Sequence, residues 1–347
     1  MHAGFLLIRS GYNGPMNIVT ALETLTLEGI EGDHDHVIET VLSKLFVRGD
    51  EVHKAYKHRT ADFADLTDRD VRRKYISEDF FWNNAMAPDI YLELRHVKHD
   101  GERFVHVQDG EGEDWYIVMK KIDTSQDLMR AIESNTLESA ILETYVRTLM
   151  SRLEVLTLAR RGELQNFFDN DVAHVRAEVL GATAWASADG DPYLTPEEVA
   201  GARALMERAL EKESYFKEPI KDISVVIDTN AENILFIDGK VSFIDVMPPK
   251  DTWRVHDRYF LICRTSADIE AQQGDHSDTL HDTYKEYGTL PPEIVRVVYE
   301  IAASLIQVPY RKMIGQNLLA QKYADFVRLR CEELQRMLTE KRLGDLE

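Results

Sequence analysis

Only two cysteines, Cys263 and Cys331, occur in 347 residues. Two thiols build neither a disulfide framework nor a cysteine zinc site, so a reducing cytoplasm is the expected setting. Long apolar runs are missing too. None approaches the roughly 18 residues that a membrane helix needs. Near the start, Phe5, Leu6, Leu7 and Ile8 are too short a run for a secretory leader, and no small-residue cleavage site follows. Neither a Gly-x-Gly-x-x-Gly nor a Walker A pattern is present, and no serine nucleophile elbow. Basic residues are in deficit: 41 Lys and Arg stand against 61 Asp and Glu, a net charge of −20. Phosphate neutralisation needs clustered cations, so nucleic acid is not an expected partner. Most of the charge serves solubility, and it permits a cationic small molecule.

Apolar residues make up 44 % of the chain and aromatics 9 %, enough for a sizeable core. The length suits two domains. Spacing predicts a first helix from Pro15 to about Gly29, with Ile18, Leu22 and Leu25 on one face. Strand patterns over 40–48 and 51–57 flank Gly49-Asp50, a two-residue hairpin signal. A helix over 67–83 opens at Thr67 and buries Val71, Tyr75, Phe81 and Trp82. A second hairpin pairs 90–98 with 103–107, and 115–119 is another strand. Helices are predicted from Asn135 to about Arg161, from a capping box at Thr195 to Glu213, and over 292–314 and 317–343. A small sheet-rich region, 1–122, thus precedes a helical one, 123–347.

One strand-rich island, 223–246, interrupts the helical region. An apolar run ends in Asp228-Thr-Asn-Ala-Glu-Asn233, and two short apolar runs then flank Asp238-Gly239. Pairing about that turn sets Asn233 opposite Ile244 and Glu232 opposite Asp245. Asn233 and Asp245 thereby return to one end of the hairpin, where an amide oxygen and a carboxylate are suitable ligands for Mg2+. Asp228, at the far side of the short loop, can accept a proton from an incoming hydroxyl. Phosphoryl transfer needs that division between charge neutralisation and orientation of the nucleophile. Taken singly, Asp228, Asn230 and Asn233 are ordinary turn formers and Asp245 an ordinary strand terminator.

With those residues in place, the chain resembles the bacterial aminoglycoside phosphotransferase-like kinases over roughly 37–270. The resemblance implies an α+β, protein-kinase-like bilobal fold, with a β-rich N-lobe (1–122) for nucleotide and a helical C-lobe (123–347) for catalysis. It implies ATP-dependent phosphorylation of a small-molecule hydroxyl, with ATP and Mg2+ as cofactors. Glu39-Thr40-Val41-Leu42-Ser43-Lys44 resembles the family's nucleotide-covering strand, which places Ser43 at the nucleotide. Asp228 falls on the catalytic aspartate, Asn233 on the metal-binding asparagine and Asp245 on the second metal ligand. Asp257 falls on an aspartate that supports the catalytic loop. The phosphate-gripping lysine is open between Lys57, which shares a strand face with Ala55, and Lys54, which aligns with another family lysine. Lys57 is favoured here. Glu78 is the first choice for its carboxylate partner and Asp79 the second. Lys121 lies at the hinge, where adenine would bond to backbone.

Departures from the family pattern are Val226 and Asn230 where histidines are usual, Glu232 for a glycine, and Pro248 for an acidic residue. They leave open a degenerate pseudokinase that acts as a nucleotide-binding or interaction module. A protein kinase or nucleotidyl transferase on the same scaffold is a third reading. Glu232 either helps to bind a cation or points outward. His34 and His36, and the group His96, His99 and His106, are expected to be structural or surface residues rather than metal ligands.

Overall fold

The computed structural model describes residues 17–30, 33–61, 64–108, 111–164, 172–187, 192–220, 223–237, 239–248 and 253–344. The apolar run at 5–8, Pro15 and Asp238 lie outside them. The chain divides into two compact units, Met1–Phe80 with Asp89–Lys121, and Phe81–Pro88 with Ile122–Glu347.

The smaller unit begins with α1 (Ile18–Glu23), whose N-terminus is capped by Asn17 Oδ1 accepting from the Thr20 N–H at 3.0 Å. Strands β1 (His36–Glu39), β2 (Ser43–Arg48) and β3 (Glu51–Tyr56) follow, then the short pair β4 (Thr60–Ala61) and β5 (Ala64–Asp65). Helix α2 (Arg69–Met86) comes next, with its first three turns in this unit, then β6 (Tyr91–His99), β7 (Phe104–Val107) and β8 (Asp114–Lys120). Six strands form one antiparallel sheet in the order β1-β2-β3-β8-β6-β7. Gly49 turns the β2–β3 hairpin at φ +57°, a conformation glycine adopts without strain. One sheet face, through Phe46, Ala55, Val97, Tyr116 and Val118, packs on Ile18, Ala21 and Leu22 of α1. On β3 the side chains between these point the other way, and Tyr56 meets Tyr75 of α2 edge-on.

Two expectations change here. Asp68, not Thr67, holds the first turn of α2, accepting the Asp70 and Val71 N–H groups at 2.9 and 3.0 Å. Val71 is 51 % exposed, whereas Ile76, Asp79, Trp82 and Asn83 are buried. The buried stripe carries polar residues that a purely apolar template passes over.

The larger unit contains α3 (Leu128–Glu133), α4 (Ser139–Ala159), α5 (Arg161–Leu164), α6 (Val172–Ser187), α7 (Pro196–Leu210) and α8 (Glu213–Ile220). Strand β9 (Ile223–Val225) leads to a hairpin of β10 (Ile234–Ile237) and β11 (Lys240–Phe243). Strand β12 (Val255–Asp257), α9 (Tyr259–Ala271), α10 (Ser277–Tyr284), α11 (Glu293–Met313) and α12 (Asn317–Gly344) complete it. The Thr195 capping box forms in full. Asn135 does not open α4. It sits at φ 52° just after α3, a left-handed position asparagine tolerates, and α4 starts at Ser139. Helix α11 is the central element, packed by α12, α6 and α9. Among the described residues no helix is long and apolar enough to cross a membrane.

Candidate active site

The island at 223–246 is held from both sides. Strand β9 pairs antiparallel with β12, and the Val226 N–H extends the pairing to the Arg254 carbonyl at 2.8 Å. Val226 is therefore a buried core residue at the start of the loop. Asp257 is fully buried on β12; it accepts from the Tyr259 N–H at 2.9 Å and the Tyr299 hydroxyl at 3.1 Å. It ties the strand beneath the loop to α9 and α11.

The chain then crosses to a 3-10 turn, Ala231–Asn233, closed by the Asn233 N–H on the Asn230 carbonyl at 2.8 Å. The following hairpin has the register that the Asp238-Gly239 turn predicts, Ile234 opposite Phe243 and Ile237 opposite Lys240. The Ile244 N–H donates to the Asn233 carbonyl at 2.9 Å, so Asn233 faces Ile244. The Asp228 N–H donates to the Val246 carbonyl at 2.8 Å, and Asn233 Nδ2 donates to the Asp245 carbonyl at 3.4 Å. Asp228, Asn233 and Asp245 are thereby brought to one end of the hairpin. Asp245 lies at φ 51°, a backbone region few non-glycine residues adopt, though aspartate is among the more tolerant. The next amide, of Val246, is held by Asn83 Oδ1 at 3.0 Å. Asn83 is fully buried on the last turns of α2 and belongs to this unit. No signal in the sequence marks it, since its partner is 163 residues away.

The donor set fits a hard cation. Asn233 commits its amide nitrogen to a backbone carbonyl, which leaves its oxygen for a ligand, and Asp245 supplies a carboxylate. Among the described residues no group of three His, Cys, Asp or Glu side chains forms a metal site. Two protein ligands are what Mg2+ takes when substrate phosphates complete its shell.

Arg264 holds Asp228 directly, and Gln307 joins it at Asn230. Arg264 of α9 places Nη2 2.7 Å from Asp228 Oδ1 and 2.7 Å from Asn230 Oδ1. Gln307 of α11 donates to the same Asn230 oxygen at 2.8 Å. Asn230 thus serves as a buried acceptor between two donors. Tyr310 stands close to the acidic group; burial, with the negative charges of Glu232, Asp228 and Asp245, pushes its phenol up. Glu232 neither points outward nor stands as a free charge, because it pairs with Arg311 at 2.5 Å.

In the smaller unit, Lys54 is buried on β3 and its Nζ donates to Asp79 Oδ2 of α2 at 3.1 Å. The carboxylate set against a β3 lysine is thus that of Asp79, one position after Glu78, which is half-buried. Lys57 follows the end of β3; its Nζ meets Glu39 Oε1 at 3.0 Å and the Thr40 carbonyl at 2.5 Å. The preference for Lys57 rested on strand alternation. From Val52 to Tyr56 every residue of β3 is buried, with α1 over one face and α2 over the other, so alternation carries no inside–outside information there. Ser43 is also buried, and its hydroxyl bonds Thr40 Oγ1 at 2.9 Å inside the β1–β2 turn. The Lys121 N–H is taken by the Asp50 carbonyl at 2.7 Å.

No family model matches the chain, and no curated protein does. Similar solved structures include choline kinases and an aminoglycoside phosphotransferase. A choline kinase from Cryptosporidium parvum Iowa II aligns over 94 % of this chain and 96 % of its own, at 12 % identity and a TM-score of 0.47. A choline/ethanolamine kinase family protein from Mesorhizobium loti covers 91 % and 95 %, at 13 % identity and a TM-score of 0.40. A thermostable mutant of an aminoglycoside phosphotransferase, solved with AMP-PNP and hygromycin B, covers 88 % and 95 %, at 11 % identity and a TM-score of 0.44.

Cys263 is fully buried, and burial pushes its thiol well up, away from the reactive range. His96 stacks on Trp115, and His106 bonds the Tyr116 hydroxyl at 2.9 Å. His256, on β12 beneath the loop, is buried beside Phe260 and His174, and burial lowers its imidazole to about 3. In the unfolded chain it titrates near 6.5, so the unfolded state binds the extra proton between those values. The stability that depends on neutral His256 is complete above pH 6.5 and is lost as the pH falls towards 3, by up to about 1.4 kcal/mol per pH unit. Urea unfolding at pH 7 and pH 5 checks this. The pH dependence of His256→Phe should be shallower by that amount, and an unchanged slope would mean that the ring is not held neutral.

Proposed function

We propose that the protein is an ATP-dependent phosphotransferase acting on a hydroxyl of a small molecule. The observation that supports this is the convergence of Asp228, Asn233 and Asp245 at one end of the β10–β11 hairpin. In this reading Asn233 and Asp245 hold Mg2+, which neutralises phosphate charge when bound. Asp228 accepts a hydrogen bond from the acceptor hydroxyl and orients it for attack, and Arg264 keeps the carboxylate aimed. In the smaller unit, the buried Lys54, paired with Asp79, is the phosphate-gripping lysine. The acidic residues of the larger unit favour a neutral or cationic acceptor.

A thermal-shift titration tests the first step. Mg2+-ATP at 100 times its dissociation constant should stabilise the protein by about 2.7 kcal/mol. In Asp245→Asn, which keeps a side chain tolerant of this backbone region, the shift should largely disappear. No shift in the unmodified protein would remove the nucleotide from this reading. A shift without turnover across small hydroxyl compounds would leave a nucleotide-binding module.

A further inference from the structure

Arg311 is an arginine with no solvent exposure, on the last turn of α11. Its Nε donates to Gln307 Oε1 at 3.0 Å, and its Nη1 donates to Glu232 Oε1 at 2.5 Å and Gln316 Oε1 at 2.7 Å. Gln316 Nε2 donates in turn to the same Glu232 oxygen at 3.1 Å. Gln307 carries the contact on to Asn230 Oδ1, the oxygen that Arg264 also holds beside Asp228. One guanidinium therefore grips the 228–233 loop at two residues, directly at Glu232 and through Gln307 at Asn230.

We infer that Arg311 is a positioning residue that holds the 228–233 loop in its working geometry. Arg264 holds the first half of the loop at Asp228 and Asn230, and Arg311 is the guanidinium that reaches its second half at Glu232. The loop's only regular element is a three-residue 3-10 turn, whose hydrogen bonds are poorly aligned. Burying a guanidinium carries a desolvation cost, and a planar fork set against three acceptors returns geometry rather than net stability. The helix is shaped for the task. Pro309 has no N–H for the Leu305 carbonyl, so one backbone bond is missing just before the final turn of α11. That turn is then closed by the Gln316 N–H on the Arg311 carbonyl at 2.8 Å, which sets the two side chains that meet Glu232.

The loop-holding role is independent of any activity; only its kinetic consequence rests on the phosphotransfer reading. The test is hydrogen exchange on the ligand-free full chain, followed by steady-state kinetics. Arg311→Gln and Glu232→Ala should each speed exchange of the amides at 231–234 about tenfold and leave those of β11 unchanged. Glu232→Gln, which keeps an acceptor, should restore most of the protection. In turnover, Glu232→Ala should lower kcat about tenfold with the nucleotide KM within about twofold, and the double variant should be no worse than the worse single. If Arg311→Gln does not fold, Glu232→Ala decides alone. Unchanged loop exchange in that variant, or loosening spread evenly through the unit, overturns the inference. Faster loop exchange in a protein that never turns over leaves the anchor standing and defeats the phosphotransfer reading instead.

Discussion

Asp228→Asn should lower phosphotransfer by about 10²–10⁴-fold, the range a positioned acid–base group contributes. Asparagine keeps the shape of the side chain and an oxygen for Arg264, which lies 2.7 Å from Asp228 Oδ1. What it loses is the charge and the ability to take a proton from a hydroxyl. The Asp228 N–H bond to Val246 belongs to the backbone and survives the exchange. Nucleotide affinity, supplied by other residues, should stay close to that of the unmodified protein. Calorimetry with Mg2+-ATP and ATP consumption over a panel of small hydroxyl compounds measure the two quantities separately. Full turnover in Asp228→Asn would remove this aspartate from the chemistry.

Lys54→Met should cost about 3–5 kcal/mol of unfolding free energy, the usual penalty for breaking a buried ion pair from one side. Lys54 and Asp79 have side chains 7 % and 3 % exposed, with 3.1 Å between Nζ and Oδ2. Removing the ammonium leaves the carboxylate in a dry site without that cation. Lys54→Met with Asp79→Leu should recover most of the loss, because two apolar groups of similar shape replace the pair. Neither variant should regain the Mg2+-ATP shift if Lys54 grips phosphate. Urea unfolding gives the first comparison and the thermal shift the second. If the double variant is no more stable than Lys54→Met, loss of the Lys54–Asp79 pairing is not what destabilises the single variant.

The sequence made the hairpin legible because its signals are local. The turn at 238–239 and two short apolar runs set a register in which Asn233 faces Ile244, and the structure has that register. The capping box at Thr195 was legible for the same reason. Helix α9 was not. Nearly all its side chains are buried, Thr265, Ser266 and Asp268 among them, so it lacks the polar face that would reveal its period. The lysine on β3 was not legible either, since a strand covered on both faces hides which side chain meets α2.

What the sequence determined by itself is the hairpin of 234–237 and 240–243 and the return of Asn233 and Asp245 to one end of it. These follow from turn chemistry and the two-residue period of a strand, both readable within twenty residues. Only the tertiary structure decided what holds those residues. Asn83 sits on Val246, Arg264 on Asp228, and Arg311 on Glu232, across sequence separations of 163, 36 and 79 residues respectively. Such pairings depend on how helices pack, and a buried polar group takes whichever partner that packing brings within hydrogen-bond reach.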